Sequence, residues 1–446
     1  MSTRIVLIGA GSAQFGFDML GDVFQSQILA GCHVVLHDIN AEALERVRQA
    51  GQDYIEAKGL PTTLSATLSR PEALAGADYC VIAIEVGDRF ALWEQDQRTP
   101  RELGLQQVFG ENGGPGGLFH SLRVVPPILE ICADIQKICP EAWVFNYSNP
   151  MSRICTTVHR AFPDLHFVGL CHEIASLYQH LPLILDTPIE NLSFRAGGLN
   201  HFSVLTDIHY VDSGKDAYPE VLEKAPDYFE KAMDFGHVMK KAWNAVNEIE
   251  MSAEEEIVHP WSERGVFRVL LEKFHCLPIT TDSHIGEYVP WGHDAADHRA
   301  VMEFYVYYKK WTLRGNPEIK EARRERMIKI VEAIETDEVY EEAAVNLPNH
   351  GFLDALPEWM VVEVPGHVSA KGVEGVRLEN MSPGFAGLLA NQVAIHDISA
   401  QAIIKGSKDL VLQALLVDPN VDKVSAAEEL VEKMIAMQPE YLGYLR

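Results

Sequence analysis

The sequence predicts an α/β fold that opens with a parallel sheet of the Rossmann type. An apolar run at residues 5–8 leads directly into a glycine turn, and a second apolar run at 34–36 leads to an acid. Further short apolar runs at 79–84 and 143–146 are separated by helical stretches. Short buried strands that alternate with helices are typical of a parallel sheet.

The turn after the first strand has the features of a dinucleotide-binding loop. Gly9 permits a tight turn, and Gly11 lets backbone N–H groups approach a pyrophosphate at the start of the next helix. Asp38 follows the second strand, where an acid accepts hydrogen bonds from ribose hydroxyls and favours NAD over NADP. The third glycine of the usual motif is replaced by Gln14, with Gly16 two residues later. The predicted NAD-binding residues are Gly9, Gly11, Ser12, Asp38 and Glu85, the last of which follows the run at 79–84.

The composition is that of a large globular enzyme. Hydrophobic residues make up 47% and charged residues 23% of the 446 positions, which excludes disordered and fibrous classes. The net charge of −27 argues against nucleic acid and anionic membranes as partners, so an acidic substrate would be small and held by a local cationic pocket. No signal peptide or transmembrane segment is visible, and the seven cysteines form no spaced framework. We therefore expect reduced thiols and a cytoplasmic location.

Two domains are predicted, at residues 1–195 and 196–446. Strands alternate with helices in the first part, whereas helical patterns become more frequent from about residue 200. No internal repeat or low-complexity linker separates the two parts. The second domain is expected to be a mixed α+β unit that binds substrate and metal.

Residues 110–117 form a glycine-dense segment, with five glycines in eight positions. Such a segment before a helix is typical of a loop whose backbone approaches a ligand closely. A flexible surface loop is the alternative interpretation.

A group of polar side chains follows the apolar run at residues 167–170. Cys171, His172 and Glu173 are all capable of metal binding or proton transfer, and His201 lies on a glycine turn farther along. A thiolate and an imidazole from Cys171 and His201 could share a divalent ion whose remaining positions stay open for substrate oxygens. Packing within the core is the alternative for isolated Cys and His residues.

Two further segments carry groups that suit a sugar. Asn149 follows a strand, where its amide can bind hydroxyls as donor and acceptor, although an Asx turn before Pro150 explains the same pattern. Residues 281–291 bring together an imidazole, a carboxylate, a phenol and an indole. This mixture suits carbohydrate recognition and proton abstraction better than a buried core.

Together these motifs resemble those of glycoside hydrolase family 4, the NAD- and metal-dependent glycosidases, over nearly the whole chain. The segments that carry the resemblance are GAGS at 9–12, GENGGPGG at 110–117, NP at 149–150, CHE at 171–173, GLNH at 198–201, NHG at 349–351, LP at 356–357 and VVEVP at 361–365. The resemblance implies a lactate/malate dehydrogenase-like fold and a homodimer or homotetramer.

The resemblance also implies a mechanism that differs from hydrolysis by two carboxylates. NAD⁺ would oxidise the C3 hydroxyl of the sugar, and Mn²⁺ or another divalent ion would stabilise the charge that forms when the C2 proton leaves. Elimination of the leaving group, addition of water and return of the hydride would complete a cycle without net use of the cofactor.

The same resemblance implies roles for particular residues. Tyr288 is expected to remove the C2 proton, with His284 as the competing base, and because a phenol has a pKa of about 10 a cation or the metal must lower it. Either His172 or Glu173 is expected to protonate the leaving group. The expected metal ligands are Cys171 and His201. The expected substrate-binding residues are Glu111, Asn149 and Asn200.

The residues after the cysteine bear on the substrate. The sequence His172-Glu173-Ile174 is similar to the motif of the α-galacturonidase subgroup, whereas some α-glucosidases carry Cys-Asp-Met-Pro. We therefore expect a small, non-phosphorylated α-hexuronide, whose carboxylate would require a bidentate arginine. The available arginines are Arg89, Arg123 and Arg299. Activity on α-glucuronides or α-galactosides is the alternative within the family.

Two hypotheses outside the glycosidases also fit a dinucleotide-binding domain. One is an NAD-dependent 2-hydroxy-acid dehydrogenase, which would not need the pair formed by Cys171 and His201. The other is a catalytically silent NAD sensor, which would not need reactive groups at the ends of strands.

Overall fold

The computed structural model describes residues 3–11, 15–314, 318–321 and 325–446. Its strands are β1 (Arg4–Ile8), β2 (His33–His37), β3 (Thr63–Thr67), β4 (Tyr79–Ile82), β5 (Trp143–Asn146), β6 (Phe167–Gly169), β7 (Leu192–Leu199), β8 (Phe202–Tyr210), β9 (Tyr340–Pro348), β10 (Val361–Ser369) and β11 (Gly372–Gly375). Within the described residues these strands form one sheet in the order β3-β2-β1-β4-β5-β6-β9-β10-β7-β8, with β11 paired to β10.

The helices cover this sheet and form most of the region beyond it. They are α1 (Phe15–Phe24), α2 (Ala41–Lys58), α3 (Arg70–Leu74), α4 (Arg89–Glu102), α5 (Gly114–Ile138), α6 (Met151–Ala161), α7 (Ala175–Leu185), α8 (Tyr218–Phe229), α9 (Phe235–Val246), α10 (Gly265–Phe274), α11 (Asp282–Ile285), α12 (Gly292–Ala295), α13 (His298–Leu313), α14 (Arg326–Thr336), α15 (Pro383–Ala390), α16 (Gln392–Lys405), α17 (Lys408–Val417), α18 (Val424–Met437) and α19 (Pro439–Leu442). Among the described helices, none combines the length and apolar character needed to cross a bilayer.

Strands β1 to β6 form the parallel half of the sheet. Strand β1 lies between β2 and β4, and the series continues through β5 to β6 with every pair parallel. Val6 and Ile8 pack on one face of the sheet, whereas Ile5 and Leu7 pack on the other. Burial on both faces explains the uninterrupted apolar run. This half confirms the predicted α/β fold with a Rossmann-like sheet.

Helices lie on both faces of the parallel half. The side of Val6 is covered by α5, α6 and α16 to α18, and the side of Ile5 by α1, α2 and α14. A third core, formed by β7, β8 and helices that include α7, α8 and α10, lies beyond the parallel strands. The carboxyl ends of β1, β4, β5 and β6 therefore share one edge of the sheet, which is where ligands bind in such folds.

Strand β9 joins the parallel half to an antiparallel half. Gly169 of β6 pairs antiparallel with Asn346 of β9, and β9 pairs in turn with β10. Strands β7 and β8 form a hairpin with His201 in its turn, and β10 meets β7 where Glu363 pairs with Gly198. The antiparallel strands and their helices match the expected α+β character. The boundary predicted at residue 195 falls inside β7, and the division into two domains stays a prediction.

The contact between β6 and β9 has no room for a larger residue at Gly169. A Cβ there would lie 2.6 Å from Met151 Sδ, 2.8 Å from Cys155 Sγ and 2.9 Å from Asn346 Cβ. We expect Gly169→Ala to lower the free energy of unfolding by about 1–3 kcal/mol, as overpacking typically does. Gly387→Ala in α15 is the control, because nothing lies within 4 Å of its Cβ position and alanine is the better helix former. Urea unfolding measures both variants, and an unchanged midpoint for Gly169→Ala would contradict the packing argument.

Candidate active site

Four segments that are distant in sequence meet beside the carboxyl end of β6. They are the loop at 109–113, which contains the start of the glycine-dense segment, the residues that follow β6 at 171–173, the β7–β8 turn at 200–201, and α11 with the residues after it. Their contacts join an amide, a thiol, two imidazoles and two carboxylates in one enclosed cluster. Of the predicted site residues, the cluster contains Cys171, His201, Glu111, Glu173 and His284.

The turn after β1 has the geometry of a dinucleotide loop. Gly9 adopts φ +88°, and a Cβ on it would overlap the carbonyl oxygen of Ala83. The backbone N–H of Gly11 donates to Asp38 Oδ2 at 2.8 Å, while Asp38 Oδ1 accepts from Asn40 N at 2.8 Å. The acid at the end of β2 thus lies directly against the glycine turn. Ser12, the remaining predicted residue of this loop, lies outside the described residues.

Glu85, the other predicted cofactor residue, lies in the loop after β4. Its carboxylate is about one-third exposed and stands 3.9 Å from both Arg89 Nε and His120 Nε2. These contacts turn it towards α4 and α5, so a role at the cofactor stays a prediction.

Cys171 and His201 are close enough to hold one ion. Cys171 Sγ lies 3.3 Å from His201 Nε2. Typical ligand bonds of about 2.3 Å to sulfur and 2.1 Å to nitrogen put two such ligands roughly 3.1–3.6 Å apart on a shared ion. Burial raises the pKa of the Cys171 thiol above its ordinary value. The thiol must therefore release its proton when an ion binds there.

The ring of His201 is held in place by its neighbours. His201 adopts φ +63°, in the left-handed region, and its Nδ1 hydrogen-bonds the side-chain amide of Asn112 at 2.7 Å. A half-turn of that amide presents either oxygen or nitrogen to the ring, so the contact is compatible with a proton on Nδ1 and a lone pair on Nε2. Burial and the charge of His284 lower the pKa of His201 to about 4, which keeps the ring neutral, as a ligand must be.

Glu173 and His284 form an ion pair beside these two groups. Glu173 Oε1 lies 3.1 Å from His284 Nε2 and 3.8 Å from His201 Nε2. Burial lowers the pKa of His284, but the charge and hydrogen bond of Glu173, with the charge of Glu111, raise it to about 10. Burial acts against ionisation of Glu173, but the charge and the hydrogen bond of His284 bring its pKa below the ordinary value. The pair therefore holds one proton, on the imidazole.

The two imidazoles cannot both bind the same ion as they are placed. Glu111, His201 and His284 offer ligand atoms within 4.8 Å of one another. The rings of His201 and His284, however, are stacked 4.2 Å apart with only 6° between their planes. A ring nitrogen binds a metal through a lone pair in the ring plane, and the lone pairs of stacked rings run parallel rather than converge. The thiol of Cys171 is the better second ligand for an ion on His201.

Glu111 connects the cluster to an arginine. Arg89 Nη2 donates to Glu111 Oε1 at 3.2 Å, and Arg89 Nη1 donates to the Tyr308 hydroxyl at 2.8 Å. Burial opposes ionisation of Glu111, but the charges of His284 and Arg89 lower its pKa below the ordinary value. Glu111 is thus an enclosed carboxylate at the border of the cluster.

Tyr288, expected as the base, is enclosed behind the β7–β8 turn. It is 2% exposed, its ring stacks on Phe202 at 4.8 Å, and its hydroxyl donates to the carbonyl oxygen of Asn200 at 3.2 Å. Burial raises its pKa well above the ordinary value, so the phenol keeps its proton in this arrangement. Its role as base stays a prediction, and so does that of His284, which lies in the cluster but holds a proton in its ion pair with Glu173.

His172 and Glu173, the two candidates for the leaving-group acid, point to different partners. The His172 side chain is 60% exposed and its Nε2 lies 2.9 Å from Glu325 Oε2. That hydrogen bond raises the pKa of His172. Glu173 instead faces His284 and His201.

Asn149 and Asn200, the predicted sugar contacts, are both engaged within the chain. Asn149 Oδ1 accepts from Met151 N at 3.3 Å, the Asx arrangement that the sequence left as the alternative. Asn200 is 1% exposed and its amide donates to Glu363 Oε2 at 2.8 Å. Asn149 is half-buried and is the more accessible of the two.

Three residues of this region were not among the site residues predicted from the sequence. Asn112 contacts His201, Glu287 binds the loop at 109–113, and Glu363 accepts hydrogen bonds from Asn200. Asn112 and Glu363 lie inside segments that carry the family resemblance, but their polar type alone does not indicate which contacts they make. The loop is also buried throughout, which excludes a flexible surface segment.

Two models of one known protein family match most of this chain. It belongs to the family 4 glycosyl hydrolases, because the family model matches residues 4–186 and the model of the family's C-terminal domain matches residues 196–421. The protein is therefore a glycosidase, and the resemblance inferred from its motifs is confirmed. Membership of this family favours a glycosidase over the dehydrogenase and the sensor.

Individual relatives differ in the sugar that their names give. The chain is 53% identical to an alpha-glucosidase of Erwinia rhapontici, with both chains covered completely. It is 28% identical to an alpha-galacturonidase of Thermoanaerobacter italicus, with 98% of this chain and 97% of the relative covered. The fold matches that of a 6-phospho-alpha-glucosidase from gut microorganisms, crystallised with NAD and Mn²⁺, at a TM-score of 0.75 and 20% identity over 98% of each chain. The preference for an α-galacturonide is not confirmed by these comparisons.

A substitution at Cys171 tests the metal pair without any assay of turnover. Loss of a hydrogen bond to a metal ligand typically weakens metal binding about 10- to 100-fold. We expect Cys171→Ser to weaken Mn²⁺ binding by more than this, because it removes a ligand itself. Cys276→Ser is the control, because Cys276 is a buried core cysteine whose thiol donates to Leu270 O at 3.7 Å. Electron paramagnetic resonance of free Mn²⁺ measures the affinity of each variant. Equal affinity in Cys171→Ser and Cys276→Ser would remove the thiol from the site.

Proposed function

We propose that this glycosidase is an NAD- and Mn²⁺-dependent α-glucosidase that cleaves a small, neutral α-glucoside. The observation that carries the choice of sugar is the full-length identity of 53% to an alpha-glucosidase. The structure of a relative bound to NAD and Mn²⁺ supports the choice of cofactors.

The residues at the end of β1 suit the dinucleotide. Gly9 leaves the backbone open where a side chain would overlap Ala83, and Asp38 stands at the position from which an acid binds ribose hydroxyls. When bound, NAD⁺ supplies the acceptor for the hydride at C3 of the sugar and returns it at the end of the cycle.

The thiol of Cys171 and Nε2 of His201 would hold the divalent ion. Their separation of 3.3 Å suits two ligands of one ion, and two ligands leave positions open for substrate oxygens. When bound, the ion supplies a Lewis acid for the oxygens at C2 and C3. Glu111 and Asn149 are the proposed sugar contacts, whereas the engaged amide of Asn200 suits a supporting role.

The ion pair of Glu173 and His284 is the proposed acid–base group. It holds one proton between two groups 3.1 Å apart, next to the imidazole that would bind the ion. Because the imidazole holds that proton, the Glu173 carboxylate would take the C2 proton and His284 would deliver its own proton to the leaving group. Tyr288 and His172 are the alternatives for these two steps, but the first donates to Asn200 O and the second is bound to Glu325.

The charges around the cluster favour a neutral sugar. Each arginine considered for a uronate already contacts a carboxylate of the chain. The pairs are Arg89 with Glu111, Arg123 with Asp96, and Arg299 with Asp297. In the described region next to Cys171, Arg326 likewise pairs with Glu342. To bind a uronate, any of these four arginines would have to leave its ion pair, so an α-galacturonide is the alternative substrate and an α-glucoside the first choice.

We also propose a cytoplasmic location and a homo-oligomeric assembly for the enzyme. The seven free thiols support a cytoplasmic location, where thiols stay reduced. A homodimer or homotetramer stays a prediction from the family resemblance.

The choice of sugar can be tested with p-nitrophenyl glycosides in the presence of NAD⁺, Mn²⁺ and a thiol reductant. We expect kcat/KM for the α-glucoside to exceed that for the α-galacturonide, because the arginines considered for a uronate are already paired with carboxylates of the chain. Omission of either NAD⁺ or Mn²⁺ should abolish release of p-nitrophenol, and NADH should not accumulate. Faster cleavage of the α-galacturonide would instead support the expectation from the sequence, and net NADH from a hydroxy acid would indicate a dehydrogenase.

The identity of the base can be tested by comparing Glu173→Gln with Tyr288→Phe. Loss of a general acid–base group typically costs about 10²- to 10⁴-fold in rate. We expect that loss, with a larger kinetic isotope effect from deuterium at C2 of the substrate, only in Glu173→Gln. The opposite outcome, with the loss and the isotope effect in Tyr288→Phe, would return the base role to the tyrosine.

A further inference from the structure

We propose that Glu287 is a positioning residue, which holds the loop carrying Glu111 and Asn112 against His201. The inference rests on the proposed function, in which His201 binds the metal. Glu287 is 2% exposed and lies two residues after the end of α11, the helix that carries His284. It does not contact the thiol or the imidazoles, so its effect passes through the loop.

The carboxylate of Glu287 accepts hydrogen bonds from five successive backbone N–H groups. Oε1 accepts from Gln107 Nε2 at 2.7 Å, from Phe109 N at 3.2 Å and from Gly110 N. Oε2 accepts from the N–H groups of Glu111 at 3.2 Å, Asn112 at 2.9 Å and Gly113 at 3.1 Å. Burial raises the pKa of Glu287 to about 7, whereas the donors that surround both oxygens favour the ionised carboxylate. A buried charge keeps this position only with such complete hydrogen bonding.

The glycines of the loop permit this approach. A Cβ on Gly113 would lie 2.8 Å from Glu287 Cβ and 2.7 Å from its carbonyl oxygen. The carbonyl groups of the loop are also bound, because Arg153 Nε donates to Asn112 O at 3.2 Å and His120 Nδ1 contacts Glu111 O at 2.7 Å. Glycine thus lets the backbone of this segment come close to Glu287 of the same chain.

The position of the loop determines the position of the His201 ring. The Asn112 amide reaches Nδ1 at 2.7 Å, and the ring then presents Nε2 to Cys171 Sγ at 3.3 Å. A hydrogen bond to the second nitrogen of a ligating histidine sets its tautomer and orientation, and its loss typically costs about 10- to 100-fold in metal affinity. Loss of the Glu287 carboxylate should therefore weaken metal binding although Glu287 is not a ligand.

Asp282 offers a matched control five residues earlier. It is 0% exposed and accepts from the N–H groups of Gly265 at 2.6 Å, Val266 at 2.9 Å, Phe267 at 3.1 Å and Asp297 at 3.0 Å. These bonds hold the start of α10 and do not involve the loop at 109–113. Asp282→Asn therefore removes a similar buried carboxylate with a similar set of donors, none of them in the loop at 109–113.

The test compares Glu287→Gln, Glu287→Asp and Asp282→Asn in the full chain. Hydrogen–deuterium exchange of the metal-free protein reports the N–H groups at 109–113, and paramagnetic resonance reports Mn²⁺ affinity. We expect Glu287→Gln to speed exchange in this segment and to weaken Mn²⁺ binding about 10- to 100-fold. Glu287→Asp should recover part of the affinity, and Asp282→Asn should change neither measurement.

The outcomes separate the inference from the proposed function. Equal Mn²⁺ affinity in Glu287→Gln and wild type, or an equal loss in Asp282→Asn, would overturn the positioning role. Wild-type protein that binds no Mn²⁺ would overturn the proposed metal site, and the exchange at 109–113 would then decide alone whether Glu287 holds the loop. If Glu287→Gln does not fold, Gly113→Ala disturbs the same contact from the side of the loop, and the same two measurements apply.

Discussion

The buried carboxylate of Glu363 ties together the strands on which the whole site depends. It accepts hydrogen bonds from Ser203 at 2.8 Å, from Asn200 at 2.8 Å and from Asn346 at 3.2 Å, and Asn346 also donates to the carbonyl of Gly169. The β7–β8 turn, β9, β10 and the end of β6 are therefore held in one register. Only with that register do the thiol after β6 and the imidazole of the turn come within reach of one ion.

The charges of the site follow from the same enclosure. Burial alone would neutralise Glu173 and His284, but each stabilises the charged form of the other across 3.1 Å. His201, stacked against a cationic ring, is left neutral and suited to a metal. One enclosed cluster thus keeps a proton on one imidazole and a lone pair on the next.

Local pattern predicted the parts of this site that lie at the ends of strands. Apolar runs and the polar residues that end them indicate the glycine turn, Asp38 and Cys171. A glycine turn indicates His201. Glu287 was missed because it acts on backbone N–H groups more than 170 positions away, which leaves no mark in local sequence. His284 and Tyr288 are four residues apart, but α11 ends at Ile285, so spacing could not show that one side chain faces the cluster and the other lies behind Asn200.

In the proposed mechanism, the glycosidic bond is broken through removal of the C2 proton rather than by direct displacement. Hydrolysis of an α-glucoside in D₂O with NAD⁺ and Mn²⁺, followed by NMR of the released sugar, distinguishes the two routes. We expect deuterium at C2 of the released sugar, with no net formation of NADH. Release of a sugar that keeps its original hydrogen at C2 would contradict the proposed mechanism.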